Sequence, residues 1–138
     1  MNTKRERKGG DARRRVPGTP GTQQLARANR QRLERAVEIY LQECAERKTA
    51  ARVSELAEFV GIGPQHLNVV FRRVFGITPG EMLRTRRLEH AGQLLRTTVL
   101  TVTDIAAMTG FGTDRTFFRT FTRAHHVTPD EYRREARK

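Results

Sequence analysis

Cysteine occurs once, at Cys44, and tryptophan not at all. A single thiol excludes an internal disulfide and any cysteine-based zinc site. No apolar run approaches the roughly 20 residues of a membrane-spanning helix. The basic N-terminus lacks the apolar segment of a secretory signal. These absences fit a reducing cytoplasm. Catalytic groupings are missing as well: no nucleophile with a partnered base, no carboxylate pair placed for acid–base work, no phosphate-cradling glycine loop. His90, His125 and His126 have no metal-ligand spacing with acids or with the cysteine. Neither enzymatic activity nor a metal or cofactor is expected. Acidic residues are scarce, 15 against 27 Lys plus Arg in 138 residues, which leaves a net charge of +12. That balance favours a polyanionic partner: DNA, RNA or an anionic membrane surface. The bland alternative is a soluble protein with an Arg-rich composition. The length suits one compact domain or two very small ones.

What is present is one unit written twice. Residues 53–79 read VSELAEFVGIGPQHLNVVFRRVFGITP, and residues 102–129 read VTDIAAMTGFGTDRTFFRTFTRAHHVTP. Val53, Leu56, Ala57 and Gly61 recur as Val102, Ile105, Ala106 and Gly110, at an offset of 49. Leu67, Phe71, Arg73, Thr78 and Pro79 recur as Phe117, Phe121, Arg123, Thr128 and Pro129, at an offset of 50. The second copy therefore carries one extra residue in its turn. Each copy reads as helix, glycine turn, helix. Two such units on a short basic chain point to duplex DNA.

Apolar spacing predicts seven helices and no convincing strand, an all-α fold. The first runs from about Asn29 to Arg47, with Leu33, Val37, Tyr40, Leu41 and Cys44 on one face. The second is about Val53–Val60, ended by Gly61, since glycine enters positive φ cheaply. The third starts near Pro64 and buries Leu67, Val70, Phe71 and Val74. Thr78-Pro79-Gly80-Glu81 is a capping box that opens a long central helix, about 79–96. Thr101-Val102-Thr103-Asp104 opens the fifth as a further box. The sixth spans about Thr113–Ala124, with Phe117, Phe121 and Ala124 inward. Thr128-Pro129-Asp130-Glu131 opens the short seventh. Residues 1–27 hold dense Lys and Arg with Gly and Pro and almost nothing apolar, which predicts a disordered basic tail. It either touches phosphates or is a solvated end. Residues 28–138 form the folded part, with the two units at about 53–75 and 102–124.

These residues resemble the DNA-binding domain of the AraC/XylS family of bacterial transcription regulators, over roughly 30–136. The second half carries the pattern most closely: Arg87-Leu88, Ala91, Leu94-Leu95, Val102-Thr103-Asp104-Ile105-Ala106, Gly110-Phe111, Phe117, Arg119, Phe121, Thr128-Pro129 and Glu131-Tyr132-Arg133. The first half matches at Leu56-Ala57, Gly61-Ile62, Pro64, Leu67, Phe71-Arg72-Arg73, Phe75-Gly76 and Thr78-Pro79. The resemblance implies two helix-turn-helix subdomains joined by the long central helix. It implies that the third and sixth helices enter major-groove segments on one face of the duplex. It leans toward activation and toward a cytoplasmic, nucleoid-associated protein. Val69 departs from the family's usual Arg, whereas its counterpart Arg119 is kept. Arg115 stands where Ser is frequent, and His126 where Gly is usual. Many members carry a separate effector-binding and dimerisation domain. Here a basic tail precedes the helices, as in a small stand-alone regulator or a fragment of a longer one.

The outward side of the third helix carries Gln65, Asn68, Val69 and Arg72, flanked by His66 and Arg73. The sixth shows Arg115, Phe118, Arg119 and Thr122, flanked by Thr116 and Arg123. Arg matches the two acceptors of guanine, Gln and Asn pair with adenine, and Val69 can pack on a thymine methyl. Phe118 either contacts thymine methyls or belongs to the core, with the core favoured. Arg72, Arg73, Arg123, Arg84, Arg86, Arg87, Arg96 and Thr97 are phosphate candidates. Some of the 84–87 run is expected to pair with Glu81 and Glu89 along the helix. Any one of these side chains is otherwise a solvated surface group. The leading reading is a sequence-specific regulator that binds double-stranded DNA as a monomer. The alternative is a basic protein that acts mainly through RNA polymerase, or on RNA, with weak DNA specificity.

Overall fold

The computed structural model describes residues 22–138, with side chains from Asn29 onward. Seven helices and no strand form among the described residues: α1 (Thr22–Arg47), α2 (Val53–Val60), α3 (Pro64–Phe75), α4 (Pro79–Thr97), α5 (Val102–Met108), α6 (Asp114–His125) and α7 (Pro129–Ala136). The all-α expectation of two helix–turn–helix units joined by a long central helix is met. One boundary moves. The sequence reading starts α1 near Asn29, but the helix begins at Thr22. Residues 22–28 contain Gln, Leu, Ala and Arg, all good helix formers, and no breaker. Leu25 is the one large apolar residue among them, which leaves no apolar period to read. Residues 1–21 of the expected basic tail lie outside the described residues.

The helix starts show how local chemistry sets the frame. Thr78 and Thr128 each accept from the backbone N–H three residues on, at 3.1 Å, and Glu81 and Glu131 reach back to the Thr N–H at 2.9 Å. Proline fills the first position of α4 and α7 and is buried there. At α5 only half the box forms. Thr101 Oγ1 accepts from the Asp104 N–H at 3.0 Å, with no return bond. Asp104 is one methylene shorter than Glu, which explains the missing half.

Two apolar clusters form the core. The first gathers Val37, Tyr40 and Cys44 of α1, Leu56 and Ala57 of α2, Leu67 and Phe71 of α3, and Met82 and Leu83 of α4. The second gathers Ala91 and Leu95 of α4, Ile105 and Ala106 of α5, Phe111, and Phe117 and Phe121 of α6. Thus α4 belongs to both cores, one at each end, and acts as the spine that spaces the two units. Truncating a fully buried Leu such as Leu83 or Leu95 costs about 2–5 kcal/mol in sites of this kind. Ala124, expected inward, is exposed. The buried stripe of α6 rests on the rings of Phe117 and Phe121; His125 stacks on Phe121, and Tyr132 meets it edge-on. Val70 and Val74 are half-buried rather than core.

The one-residue slip between the copies falls on Gly112. Ile62 N–H bonds the Ala57 carbonyl in the first turn, and Phe111 N–H bonds that of Ala106 in the second. The turns are therefore equivalent through Phe111, and Gly112 is extra. Its φ is +86°, and a Cβ there would lie 2.8 Å from the Ala50 Cβ. Both the backbone conformation and the close approach to the α1–α2 loop require glycine.

Candidate nucleic-acid interface

α3 and α6 lie in equivalent places in their units. Each turns its aromatic and aliphatic stripe inward and presents polar and cationic side chains outward. On α3, Gln65, His66, Val69, Arg72 and Arg73 are exposed, and Asn68 is half-buried. On α6, Arg115, Phe118, Arg119 and Arg123 are exposed, and Thr116 and Thr122 are half-buried. Nearly every residue proposed to meet DNA thus stands at the surface. Two entries to these helices differ. Pro64 opens α3 behind Gly63, which has no side chain to cap with. Thr113 caps α6 by accepting from the Thr116 N–H, and its hydroxyl donates to Thr116 Oγ1 at 3.1 Å. Thr103 Oγ1 donates to Asp114 Oδ2 at 2.7 Å, which ties the starts of α5 and α6 together.

Phe118 corrects an expectation. It is 47 % exposed, so it is not a core residue. Phe117 occupies the inward position one residue earlier, and successive helical residues point about 100° apart. Thr122 is altered in the opposite sense. Its hydroxyl oxygen is buried without a hydrogen-bond partner among the described residues, turned away from the outward face.

The phosphate candidates divide. Arg84 is exposed on α4, and no ion pair with Glu81 or Glu89 forms along the helix among the described residues. Arg86 pairs instead with Glu38 of α1, at 3.6 Å. Arg96 Nη1 donates to the Tyr132 hydroxyl at 2.6 Å, and Thr97 Oγ1 donates to the Gln93 carbonyl at 2.8 Å. Arg87 bonds within the fold. Its Nε donates to the Leu83 carbonyl at 3.1 Å and its Nη1 to the Gly110 carbonyl at 3.1 Å. The guanidinium lies 4.8 Å from the centre of the Phe111 ring. Burial, and then the charge of Arg84, push its pKa below the ordinary arginine value. Half-buried, with two of its N–H groups bonded inside the fold, this guanidinium acts as an internal strut.

Four further side chains hold the ends of helices through bonds that the sequence does not announce. The Tyr40 hydroxyl accepts from the Arg52 N–H at 2.9 Å and donates to Glu55 Oε1 at 2.7 Å, which fixes the start of α2 against α1. Burial first, with the Glu55 bond adding, pushes the phenol pKa up. Arg30 Nη1 donates to the Val74 carbonyl at 2.8 Å and covers the Phe75 ring, which closes the end of α3. Arg133 donates to the Leu95 and Thr98 carbonyls at 3.2 Å each and closes the end of α4; Arg137 also donates to the Thr98 carbonyl. Apolar periodicity marks Tyr40 as core, but nothing local announces these distant acceptors.

Residues 56–135, both units and the helix between them, match a family model described as a helix-turn-helix domain. The chain belongs to the AraC/XylS family of helix-turn-helix transcription regulators. This AraC-type domain is 42 % identical over 81 residues to an uncharacterized HTH-type transcriptional regulator of Staphylococcus aureus strain COL. The match covers 59 % of this chain and 11 % of that relative. Among solved structures it resembles the C-terminal domain of the two-component response regulator yesN from Fusobacterium nucleatum, with a TM-score of 0.68 and 26 % identity over 77 % of this chain and 98 % of that one. It also resembles the DNA-binding domain of AdpA, a global transcriptional factor solved in complex with a target DNA. That TM-score is 0.66, at 26 % identity over 76 % of this chain and 92 % of that one. The AraC-type domain is thus a DNA-binding module of a transcription regulator. No described helix is long and apolar enough to cross a membrane.

Proposed function

We propose that the chain is a sequence-specific transcription activator that reads two major-groove segments of one asymmetric site with α3 and α6. The observation that carries this reading is the repeat itself. Two second helices, each with an inward aromatic stripe and an outward polar face, are held on one chain by a shared central helix. Two unlike units in one chain replace the two-fold dimer that single helix-turn-helix proteins need, so the domain binds as a monomer. Arg115 and Arg119 supply guanine contacts, and Gln65 and Asn68 supply adenine contacts. Arg72, Arg73, Arg84 and Arg123 hold phosphates. Activation then runs through contact with RNA polymerase in the bacterial cytoplasm.

The test is a specificity ratio with a stoichiometry. A preferred duplex is selected from a random pool, and its affinity is compared with competitor DNA. A ratio of about 10³ or more is expected for a specific binder. Sedimentation at low micromolar protein is expected to give one protein per site of about 20 base pairs, one half-site turn on each side of the centre. A two-to-one complex overturns the monomer. Val69, standing where the family usually has Arg, favours the second reading, action mainly through a protein partner. A ratio near unity selects it.

A further inference from the structure

Five large apolar side chains are exposed among the described residues: Ile39, Phe59, Val69, Val99 and Phe118. Two of them stand on α3 and α6. Val69 is 49 % exposed and Phe118 is 47 % exposed. With the 50-residue offset between units, Val69 is level with Arg119, and Phe118 is level with Asn68. Each helix therefore carries one exposed apolar residue and one polar residue at consecutive positions, in opposite order. Neither apolar group is needed for the core, which Leu67 and Phe71 fill in the first unit and Phe117 and Phe121 in the second. Exposed apolar surface on a charged helix face has no partner until another molecule covers it.

In the major groove a base pair offers one apolar feature, the 5-methyl group of thymine. We propose that Val69 and Phe118 each read a thymine methyl, so that the preferred site carries one such thymine under α3 and another under α6. This rests on the reading that these two helices enter the major groove. The neighbours on α6 set the register. Arg115 lies one turn before Phe118, and side chains so spaced are about 5–6 Å apart. Base pairs rise about 3.4 Å each, so the thymine under Phe118 falls within about two base pairs of a guanine read by Arg115 or Arg119. Val69 is short and β-branched, with few rotamers. Its contact is one methyl group at close approach.

The experiment uses the full chain and the duplex it selects from a random pool. Each thymine is replaced singly by deoxyuridine, which removes the methyl and keeps the O4 acceptor. Burying one methyl contributes about 0.8 kcal/mol, which converts to about fourfold in affinity. A loss of about threefold to fourfold is expected at one thymine under each helix. Val69→Ala is expected to become indifferent to the first replacement and to keep the second. Phe118→Ala is expected to do the reverse. Both side chains are exposed, so circular dichroism of the two variants is expected to match the parent. If every deoxyuridine duplex binds as tightly as the parent site, methyl reading is overturned and the DNA-reading function stands. If selection returns no preferred sequence, the function and this inference fall together.

Discussion

Arg87 and Gly110 join the two halves of the molecule. The Arg87 Nη1 donates to the Gly110 carbonyl at 3.1 Å, and the Ala51 N–H donates to the same oxygen at 2.9 Å. One carbonyl in the second turn therefore receives the central helix and the α1–α2 loop together. Phe111 lies under the guanidinium, and Gly112 comes so near Ala50 that a Cβ there would collide with it. The spacing of α3 and α6 is held at this junction as well as by the length of α4.

Arg87→Ala is expected to cost about 2–4 kcal/mol, since it removes charge-assisted hydrogen bonds and a cation–π contact from a half-buried place. Arg87→Lys keeps the charge without the fork, and about half the loss is expected. Urea unfolding measures both. A phosphate-binding arginine on a solvated face behaves differently: its removal leaves the unfolding midpoint unchanged and weakens DNA binding alone.

The ends of α3 and α6 give a second comparison. Gly76 follows α3 at φ +78°, and His126 follows α6 at φ +64°. A residue with a Cβ is strained in that region, whereas glycine is not. His126→Gly is expected to raise stability by about 0.5–1 kcal/mol, after allowance for glycine's freer unfolded chain. Gly76→His is expected to lower it. A stability loss in the first variant would mean that His126 makes a contact worth more than its strain.

These positions mark how much the sequence disclosed. The seven helices, the paired turns and the threonine starts of α4 and α7 follow from apolar period and cap chemistry, both local. The outward faces of α3 and α6 follow from the same period. Phe118 stays open between groove and core in the sequence, because a large aromatic beside Phe117 can also sit at the edge of a narrow buried stripe. The bonds of Arg87 are illegible for a different reason. Its acceptor at Gly110 is 23 residues away, brought close only by the packing of α5 against α4. The slip in the repeat was visible, but its assignment to Gly112 needed the hydrogen bonds on either side of the turn.

The capping boxes make stability depend on acid. Glu81 and Glu131 are held below the usual 4.5, chiefly by the N–H groups of Thr78 and Thr128. A depressed carboxylate contributes stability above its unfolded pKa and loses it as pH falls through the folded value. Tm is therefore expected to hold from neutral pH to about 5 and to drop as pH falls below the usual carboxylate value. The double variant Glu81→Gln, Glu131→Gln keeps the acceptors without the charge, and its acid slope is expected to be shallower than the parent's. Parallel curves would assign the slope to other carboxylates.

Within α6 two arginines are given different tasks. Arg119→Ala is expected to cost about 1–3 kcal/mol in binding and to relax preference at one or two base pairs. Arg123→Ala is expected to weaken all sequences about equally and to reduce the salt slope by about 0.9, because a phosphate contact carries no base information. Unchanged base preferences after Arg119→Ala, measured by binding-site selection, would remove α6 from base reading.

The two halves of the site are expected to be unequal. On α6, Arg115 and Arg119 are exposed one turn apart, the two long forks proposed to meet guanine edges. On α3 the position level with Arg119 is Val69, beside the shorter Gln65 and Asn68. The spine between them is fixed. α4 has 19 residues, and at 1.5 Å per residue it spans about 28 Å. One turn of DNA is about 34 Å. A stiff helix clamped at Arg87 does not stretch, so full seating of both second helices requires bent DNA; otherwise the weaker one sits shallow. α3 gains less from a bend, because a methyl contact contributes less than a bidentate arginine. Scrambling the half-site under α6 is therefore expected to abolish specific binding. Scrambling the half-site under α3 is expected to cost about 1–3 kcal/mol, the scale of a mismatched contact. Footprinting of both scrambled duplexes measures the ranking, and equal losses, or a greater loss from the α3 half-site, would reverse it.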